Sequence, residues 1–501
     1  MRAAPSRVAV AVLGLAVLLA GCVPQPPADQ ASATSPVTSA PAASSPPAAS
    51  APPPTSSSAA TSTSPVVTTS AGPTSGLTPP PGAGEDAPPP DTVLAGLSGA
   101  AARPTSAGLL AALSPLLSDP GLGSRVVLDI ADAGTGESLL SRGASTPATP
   151  ASTVKVLTAV ATLSVLDAQE RLATQVVAGT GDEVVLVAGG DMLVTAGRGR
   201  PSQVVGHAGL ADLADAAAAA LRAAGRARVT LTLDDTLFSG PRIASTWKPA
   251  DLSAGFVAPV APLAAENGRA LAGSAAQAGD PALAAARTFA TLLGGRGVTV
   301  TGAVRRGSAP AGAAAFAQVL GAPVGDVVEH MLDESDNTVA EVLARLVAAR
   351  TGRPATFDGA GEAVVAAIGD LGVPTAGARI VGGSGLARGG LVAPRTLTAA
   401  LLLAASPDHP ELRPALSGLP IAGVSGTLAD RYTSTAQRRA AGLVRAKTGT
   451  LSGASSLAGV VVDADGRLLA FAVVADRVAV TADARDALDG IATLLAGCGC
   501  P

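Results

Sequence analysis

The chain has 501 residues, a net charge of −4 and no basic tract, so it lacks the electrostatic footprint of a nucleic-acid-binding protein. Its length exceeds one typical core, so two or more domains are expected. Three histidines and three cysteines are scattered without metal-ligand spacing. The sequence therefore predicts no metal or cofactor, and a Ser-His-Asp hydrolase is poorly supported.

The N-terminus has the pattern of a signal peptide, predicted at residues 1–21. Arg2 and Arg7 precede an uncharged apolar run that is too short for a comfortable membrane span. The run ends in Leu-Ala-Gly-Cys22, which resembles the bacterial lipobox. We expect lipidation of Cys22 and an exported protein, anchored to the outer face of the cytoplasmic membrane and facing the cell wall. An ordinary secretory signal with an incidental Cys22 is the alternative.

Residues 22–92 consist almost entirely of Pro, Ala, Ser and Thr. Such a segment cannot bury enough apolar surface to fold, so it is predicted to be a disordered tether. If extended at about 3 Å per residue, it would hold the folded part some 100 to 200 Å from the membrane.

The first folded elements predicted are a hairpin and a helix. Val126 to Ala131 alternates into a Gly-rich turn and a second short strand, Ser138 to Leu140. Ser152 then begins an apolar stretch typical of a buried helix, with Lys155 three residues later on the same face. The serine oxygen and the lysine nitrogen can therefore meet. An N-cap serine followed by a snorkelling lysine is the alternative interpretation.

Two further triplets follow later in the chain. Ser335-Asp336-Asn337 lies between two helical patterns, where it also fits a simple turn or helix cap. Lys447-Thr448-Gly449 lies in a predicted strand, VRAKTGT, the first of three near the C-terminus. A closing helix is predicted from about Asp483 to Leu495. The terminal Cys498 and Cys500 are predicted either to form a disulfide or to stay free.

Composition makes these triplets informative. Lys and Arg total 34, but the only lysines are Lys155, Lys248 and Lys447. The only asparagines are Asn267 and Asn337. A chain this biased keeps a rare residue type mainly where its chemistry is hard to replace, and arginine cannot release its proton near neutral pH as a buried lysine can. The motifs S-x-x-K, S-D-N and K-T-G, in this order along the chain, should rarely co-occur by chance.

These motifs resemble those of the penicillin-recognising serine enzymes. The long interval between Ser152 and Ser335 indicates a domain-sized insert with motifs of its own. Together with GSGL and GVSGTL later in the chain, these motifs resemble the class C low-molecular-mass penicillin-binding proteins, which are D-alanyl-D-alanine carboxypeptidases and endopeptidases. The resemblance covers about residues 93 to 497 and rests on the following segments: Gly189-Gly190-Asp191, Asp234 to Arg242, Trp247, Ala258 to Val260, Glu266-Asn267, Gly383 to Leu386 and Gly423 to Leu428.

The expected fold is α/β (α+β), of the penicillin-binding-protein/β-lactamase-like transpeptidase type. A five-stranded antiparallel sheet flanked by helices would be formed by residues 93–171 and 313–501. A mixed α/β accessory domain would be inserted at 172–312. Asn267 is interpreted as a turn residue of that insert.

Chemistry suggests how the site would work. A serine hydroxyl needs a neighbour to take its proton. Lys155 is expected to do so if burial and the charge of Lys447 lower its pKa by about 3 units. The resemblance implies that Ser335 relays the proton and that Asn337 holds the peptide amide and orients Lys155.

The strand of the third motif is expected to bind substrate. Lys447 would attract the terminal carboxylate of the substrate. Thr448 and Thr450, with Gly449 between them, would form hydrogen bonds to it. The N–H groups of Ser152 and Thr450 would form the oxyanion hole. The resemblance implies peptidoglycan stem peptides ending in D-Ala-D-Ala as substrates, and β-lactams as acylating inhibitors.

Two rival functions use the same motifs. A β-lactamase would share the acylation step, but the large insert and the lack of a clear deacylating glutamate weigh against it. A non-catalytic lipoprotein that binds muropeptide or β-lactam is the rival from another class. It would have no chemical reason to keep Ser152, Lys155, Ser335 and Lys447.

Overall fold

The computed structural model describes residues 101–269 and 276–500. The predicted signal peptide, Cys22 and the tether lie outside the described residues. Within the described ranges, no helix is both long enough and apolar enough to cross a membrane.

The described chain contains both helices and strands, with five helices in succession before the last three strands. The helices are α1 (Ser106–Leu117), α2 (Val154–Val165), α3 (Leu210–Ala223), α4 (Pro249–Ser253), α5 (Pro281–Gly294), α6 (Val324–Asp333), α7 (Asn337–Arg350), α8 (Phe357–Asp370), α9 (Pro394–Ala405), α10 (Pro414–Ser417) and α11 (Thr481–Ala496). The strands are β1 (Arg125–Asp132), β2 (Ser138–Arg142), β3 (Arg171–Ala178), β4 (Glu183–Ala188), β5 (Asp191–Val194), β6 (Arg228–Asp234), β7 (Leu263–Ala265), β8 (Thr299–Val300), β9 (Arg305–Arg306), β10 (Ala315–Pro323), β11 (Val444–Leu451), β12 (Ala454–Val462) and β13 (Leu468–Asp476).

The predicted five-stranded antiparallel sheet is present, with strand order β11-β12-β13-β1-β2. Its strands come from both ends of the described chain. The hairpin β1–β2 joins the hairpin β12–β13 through the pairing of β1 with β13. Strand β11, which carries the third motif, lies at one edge. An edge strand presents unpaired backbone groups, and an extended peptide can add to them.

Both faces of this sheet are buried, because its side chains alternate between two cores. On β13, Phe471 and Val473 pack into a core with residues of α1 and α11. Their neighbours Ala470 and Ala472 pack into a larger core with residues of α2 and α6–α9. The C-terminal cysteines form a disulfide.

A second, six-stranded sheet has the order β10-β3-β4-β6-β8, with β9 paired to β6. It contains parallel and antiparallel pairs, as expected for the mixed insert. Its own core includes residues of α3 and α5. Strand β10 ends at Pro323 and pairs with β3, so the sheet continues past residue 312, the predicted end of the insert.

Candidate active site

Ser152 lies in a single 3₁₀ turn, Ala151–Thr153, that leads directly into α2. The preceding Ala151 has a φ of 49°, which is left-handed and costly for a residue with a Cβ. Its carbonyl lies so close to Gly385 that a Cβ there would approach it to 2.0 Å. The GSGL loop therefore needs a glycine at this point to hold the serine turn in place.

Lys155 is the second residue of α2, one turn after Ser152, and is fully buried. Its Nζ lies 3.2 Å from Ser152 Oγ, 2.7 Å from Asn337 Oδ1 and 3.0 Å from the carbonyl oxygen of Ser384. The predicted contact between serine and lysine is present, and Asn337 accepts a hydrogen bond from the same amine. Burial lowers the pKa of Lys155 to about 7, while the negative charges of Glu341 and Asp336 oppose this shift.

Glu341 supports this arrangement from within α7. Its carboxylate accepts hydrogen bonds from the Ser384 hydroxyl at 2.5 Å, the Ser384 N–H at 3.1 Å and the Gly383 N–H at 2.9 Å. Ser384 in turn presents its carbonyl to Lys155. Burial raises the pKa of Glu341. The sequence reasoning did not identify Glu341, although its spacing, four residues after Asn337, places it one turn along the same helix face.

Arg345 extends the same network to the insert. Its guanidinium lies 4.3 Å from the Phe357 ring centroid and donates to the carbonyls of Ser239 and Pro241. These carbonyls belong to the DDTLFSGPR segment that carried part of the resemblance. Burial lowers the pKa of Arg345 to about 10, so the guanidinium stays charged at neutral pH and compensates Glu341.

The second motif links α6 to α7. Ser335 takes a left-handed φ of 55°, and Asp336 caps α7 by accepting the Val339 N–H at 3.0 Å. Asp336 thus shapes the turn, as the sequence predicts. Asn337 donates its Nδ2 to the carbonyl of Phe256 at 2.9 Å. Both ends of the Asn337 amide are therefore fixed, one by Lys155 and one by the insert.

Two more hydrogen bonds join the insert to this turn. Asn267 donates its Nδ2 to Asp336 Oδ2 at 2.5 Å, and the Ala258 N–H donates to Thr338 Oγ1 at 2.9 Å. Asn267 occupies a left-handed turn, as predicted, with a φ of 56°. Its amide also holds the second motif, a role that its rarity in the sequence could have suggested.

On the third motif, side chains alternate between the cleft and the interior. Thr448 and Thr450 line the cleft, and Thr448 Oγ1 lies 2.9 Å from Thr427 Oγ1. Gly449 faces the serine turn, where a Cβ would come within 2.2 Å of Ser456 Oγ. Lys447 is fully buried beneath the strand, and its Nζ donates to the Thr448 carbonyl. Burial and the nearby charge of Lys155 keep the pKa of Lys447 well below its usual value.

These elements enclose an open cleft with a volume of about 880 Å³. Of the predicted site residues, Ser152, Ser335, Asn337, Thr448 and Thr450 line it, whereas Lys155 and Lys447 lie beneath its surface. Within the described ranges, the Ser335 hydroxyl makes no hydrogen bond to another side chain. Residues that line the cleft but were missed by sequence reasoning include Val205, Phe256, Arg269, Gln277, Arg431 and Arg485.

Comparison with known proteins matches the chain to the D-Ala-D-Ala carboxypeptidase 3 (S13) family over residues 109–281 and 270–496. "Carboxypeptidase Rv3627c" of Mycobacterium tuberculosis is 40% identical over 407 residues, covering 80% of this chain and 86% of that protein. "Carboxypeptidase DacB" of Mycolicibacterium smegmatis is 40% identical over 403 residues, covering 79% and 85%.

Among solved structures, penicillin binding protein 4 (dacB) from Haemophilus influenzae superposes with a TM-score of 0.63 at 24% identity. The match covers 76% of this chain and 97% of that one, and it establishes a shared fold. The fold and the three-motif site define a low-molecular-mass penicillin-binding protein of class C. The chain belongs to the D-Ala-D-Ala carboxypeptidase 3 (S13) family and is a serine-type D-alanyl-D-alanine carboxypeptidase, a hydrolase.

Proposed function

We propose that the enzyme hydrolyses the D-Ala-D-Ala ends of peptidoglycan stem peptides through an acyl-enzyme on Ser152. The observation that carries this proposal is the amine of Lys155. It is buried, has a pKa of about 7, and lies 3.2 Å from the serine oxygen. A base with a pKa near the working pH suits proton transfer in both directions.

The hydrogen bonds of Lys155 suit both of its protonation states. A charged Lys155 donates to Ser152 Oγ, Asn337 Oδ1 and the Ser384 carbonyl. A neutral amine has two hydrogens and one lone pair, so it still donates to Asn337 and Ser384 and accepts from the Ser152 hydroxyl. No partner has to move when the proton does.

The reaction then proceeds in two steps. Ser152 Oγ attacks the penultimate D-Ala carbonyl, its proton passes to Lys155, and the N–H groups of Ser152 and Thr450 stabilise the oxyanion. The C–N bond breaks, and Ser335, on the cleft wall, relays a proton to the departing D-Ala nitrogen. Water next adds to the ester carbonyl, giving the carboxylic acid and free Ser152.

A labelled penicillin followed by peptide mapping tests the acyl-enzyme. We expect the label on Ser152 in the full chain, none in Ser152→Ala, and full labelling in Ser202→Ala, which changes an exposed serine of the insert. Absence of label on Ser152 would overturn the proposal. Release of D-Ala from diacetyl-Lys-D-Ala-D-Ala then distinguishes a peptidase from a protein that only binds muropeptide or β-lactam, and fast turnover of penicillin would indicate a β-lactamase.

Endopeptidase action on cross-linked peptides is a second proposed activity. The open cleft supports it, because its volume of about 880 Å³ lies near the upper end of the range of about 300 to 1,000 Å³ for ligand sites and leaves room for a leaving group larger than one D-Ala. Purified cross-linked dimers of stem peptides are the test substrate. Conversion to monomers that depends on Ser152 would support this activity, and intact dimers alongside active D-Ala release would refute it.

We further propose that the enzyme is exported and anchored through lipidated Cys22 on the outer face of the cytoplasmic membrane. The lipobox-like sequence before Cys22 supports this proposal. Labelling of producing cells with a fatty acid should mark the full chain but not Cys22→Ala. Equal labelling of both would refute the anchor.

A further inference from the structure

The cleft wall next to the third motif carries a cation that the sequence did not single out. Arg485, in the early part of α11, lines the cleft, and its Nε donates to Thr450 Oγ1 at 3.3 Å. Its side chain is exposed, and it forms no ion pair with a described residue. Its two terminal nitrogens have no hydrogen-bond partner in the described part of the chain, so they are available to a ligand.

The neighbouring arginine, Arg431, differs from Arg485 because it is paired with a carboxylate. Arg431 also lines the cleft, but its guanidinium is bound in two-pronged fashion to Asp489, at 2.9 and 2.6 Å. It also donates to the backbone carbonyl of Arg485 at 3.3 Å. The charge of Arg431 is thus compensated by a carboxylate of α11, and its side chain helps to fix the position of Arg485.

Lys447 is poorly placed to meet a ligand carboxylate directly. It is fully buried, does not line the cleft, and has a pKa well below that of an ordinary lysine. The threonines above it offer neutral hydroxyls. On this part of the cleft wall, Arg485 is therefore the cation with free donors next to Thr450.

A guanidinium matches a carboxylate with two parallel N–H···O bonds, and such charge-assisted pairs are stronger than neutral hydrogen bonds. A carboxylate that accepts hydrogen bonds from Thr448 and Thr450 would lie beside the free nitrogens of Arg485. A substrate whose leaving group ends in an amide would present no charge there and would leave the guanidinium without its partner.

We propose that Arg485 is the specificity-determining residue that binds the carboxylate of the leaving group. The inference rests on the proposed function and narrows its substrate class. The enzyme would favour amide bonds whose leaving amine carries a free carboxylate on the adjacent carbon. Terminal D-Ala belongs to this class, and so do cross-links made to an amine next to a carboxylate. Cross-links to a side-chain amine distant from any carboxylate do not.

The test compares diacetyl-Lys-D-Ala-D-Ala with its C-terminal amide, using full-length protein. Loss of one charge-assisted pair is expected to cost about 10- to 100-fold in kcat/KM. We expect Arg485→Gln to lose this factor on the free acid and to change by less than about threefold on the amide. Arg485→Lys should recover part of the loss, because it restores the charge without the two-pronged geometry.

Arg388→Gln is the matched control, since Arg388 is exposed and does not line the active-site cleft. It should leave both substrates unchanged. Equal losses on acid and amide in Arg485→Gln, or no loss on either, would overturn the assignment. Failure of the proposed function has a different signature, in which wild-type protein releases no D-Ala from either substrate and Ser152 takes no penicillin label.

Discussion

The two walls of the cleft act by different means. One wall, here called the motif wall, is formed by the Ser152 turn, the Ser335-Asp336-Asn337 turn and β11. It presents side chains whose chemistry few other residues can replace. The other, here called the insert wall, includes Phe256 and Asn267. It contacts the motif wall and the first turn of α7 through a backbone carbonyl, one side-chain amide and one backbone N–H.

The difference explains which parts of the site a sequence reveals. A reacting side chain must be of one type, so it leaves a motif, whereas a backbone carbonyl is available from any residue. The insert wall nevertheless fixes Asn337 and Asp336, which respectively orient Lys155 and cap α7. We infer that the motif wall supplies the chemistry and that the insert wall keeps it aligned.

The largest effect is expected from Lys155→Arg on the motif wall. Arginine keeps the positive charge but does not release its proton near pH 7, so the acylation rate should fall by about 1,000-fold or more. Stopped-flow measurement of penicillin acylation checks this. Lys248→Arg, at an exposed lysine of the insert, is the control and should match wild type. Acylation of Lys155→Arg at more than a tenth of the wild-type rate would exclude Lys155 as the base.

The sequence predicted the motif wall because lysine and asparagine are rare in this chain. It predicted the five-stranded sheet because alternating strands and a Gly-rich turn are local signals. The same rarity argument could not single out Arg485, since arginine supplies nearly every other cation. The rarity argument also could not identify the Phe256 carbonyl. Its role depends on the tertiary contact between the insert and Asn337 at the start of α7.

A smaller effect is expected from Glu341→Gln, which tests the buried support beneath the motif wall. The Glu341 carboxylate raises the pKa of Lys155, so its removal should lower that pKa. Acylation requires neutral Lys155, so in wild type its rate should rise with pH through about 7. The variant's rise should therefore shift to lower pH. Loss of one acceptor for buried donors should also cost about 1 to 3 kcal/mol of stability.

Acylation rates from pH 5 to 9, together with denaturant unfolding, check both expectations. Glu362→Gln, at an exposed glutamate of α8, serves as the control for a general change in charge. A rise in the same pH range for Glu341→Gln and wild type would show that Glu341 does not act on Lys155.

On the insert wall, Asn267→Asp places a second carboxylate against Asp336. His330, whose Nε2 lies 3.8 Å from Asp336 Oδ2, and hydrogen bonds from the Val339 N–H and Asn267 hold the pKa of Asp336 below its usual value despite its burial. The variant replaces one of these donors with a group that repels the Asp336 carboxylate. Repulsion should displace the start of α7 and slow acylation by about 10-fold. Asn267→Gly removes the amide but tolerates the left-handed turn, and should lose only about threefold. Wild-type rates in both variants would show that the insert wall does not align the second motif.

The smallest effect is expected from Phe256→Ala. Phe256 is 61% exposed, and its backbone carbonyl accepts the hydrogen bond from the Asn337 amide, so the substitution leaves the contact in place. Acylation should change by less than about twofold, because exposed substitutions away from special contacts have small effects. Thr338→Val, by contrast, leaves the buried Ala258 N–H without its acceptor and should slow acylation several-fold more. A larger loss in Phe256→Ala than in Thr338→Val would mean that the insert wall acts through the ring and contacts substrate directly.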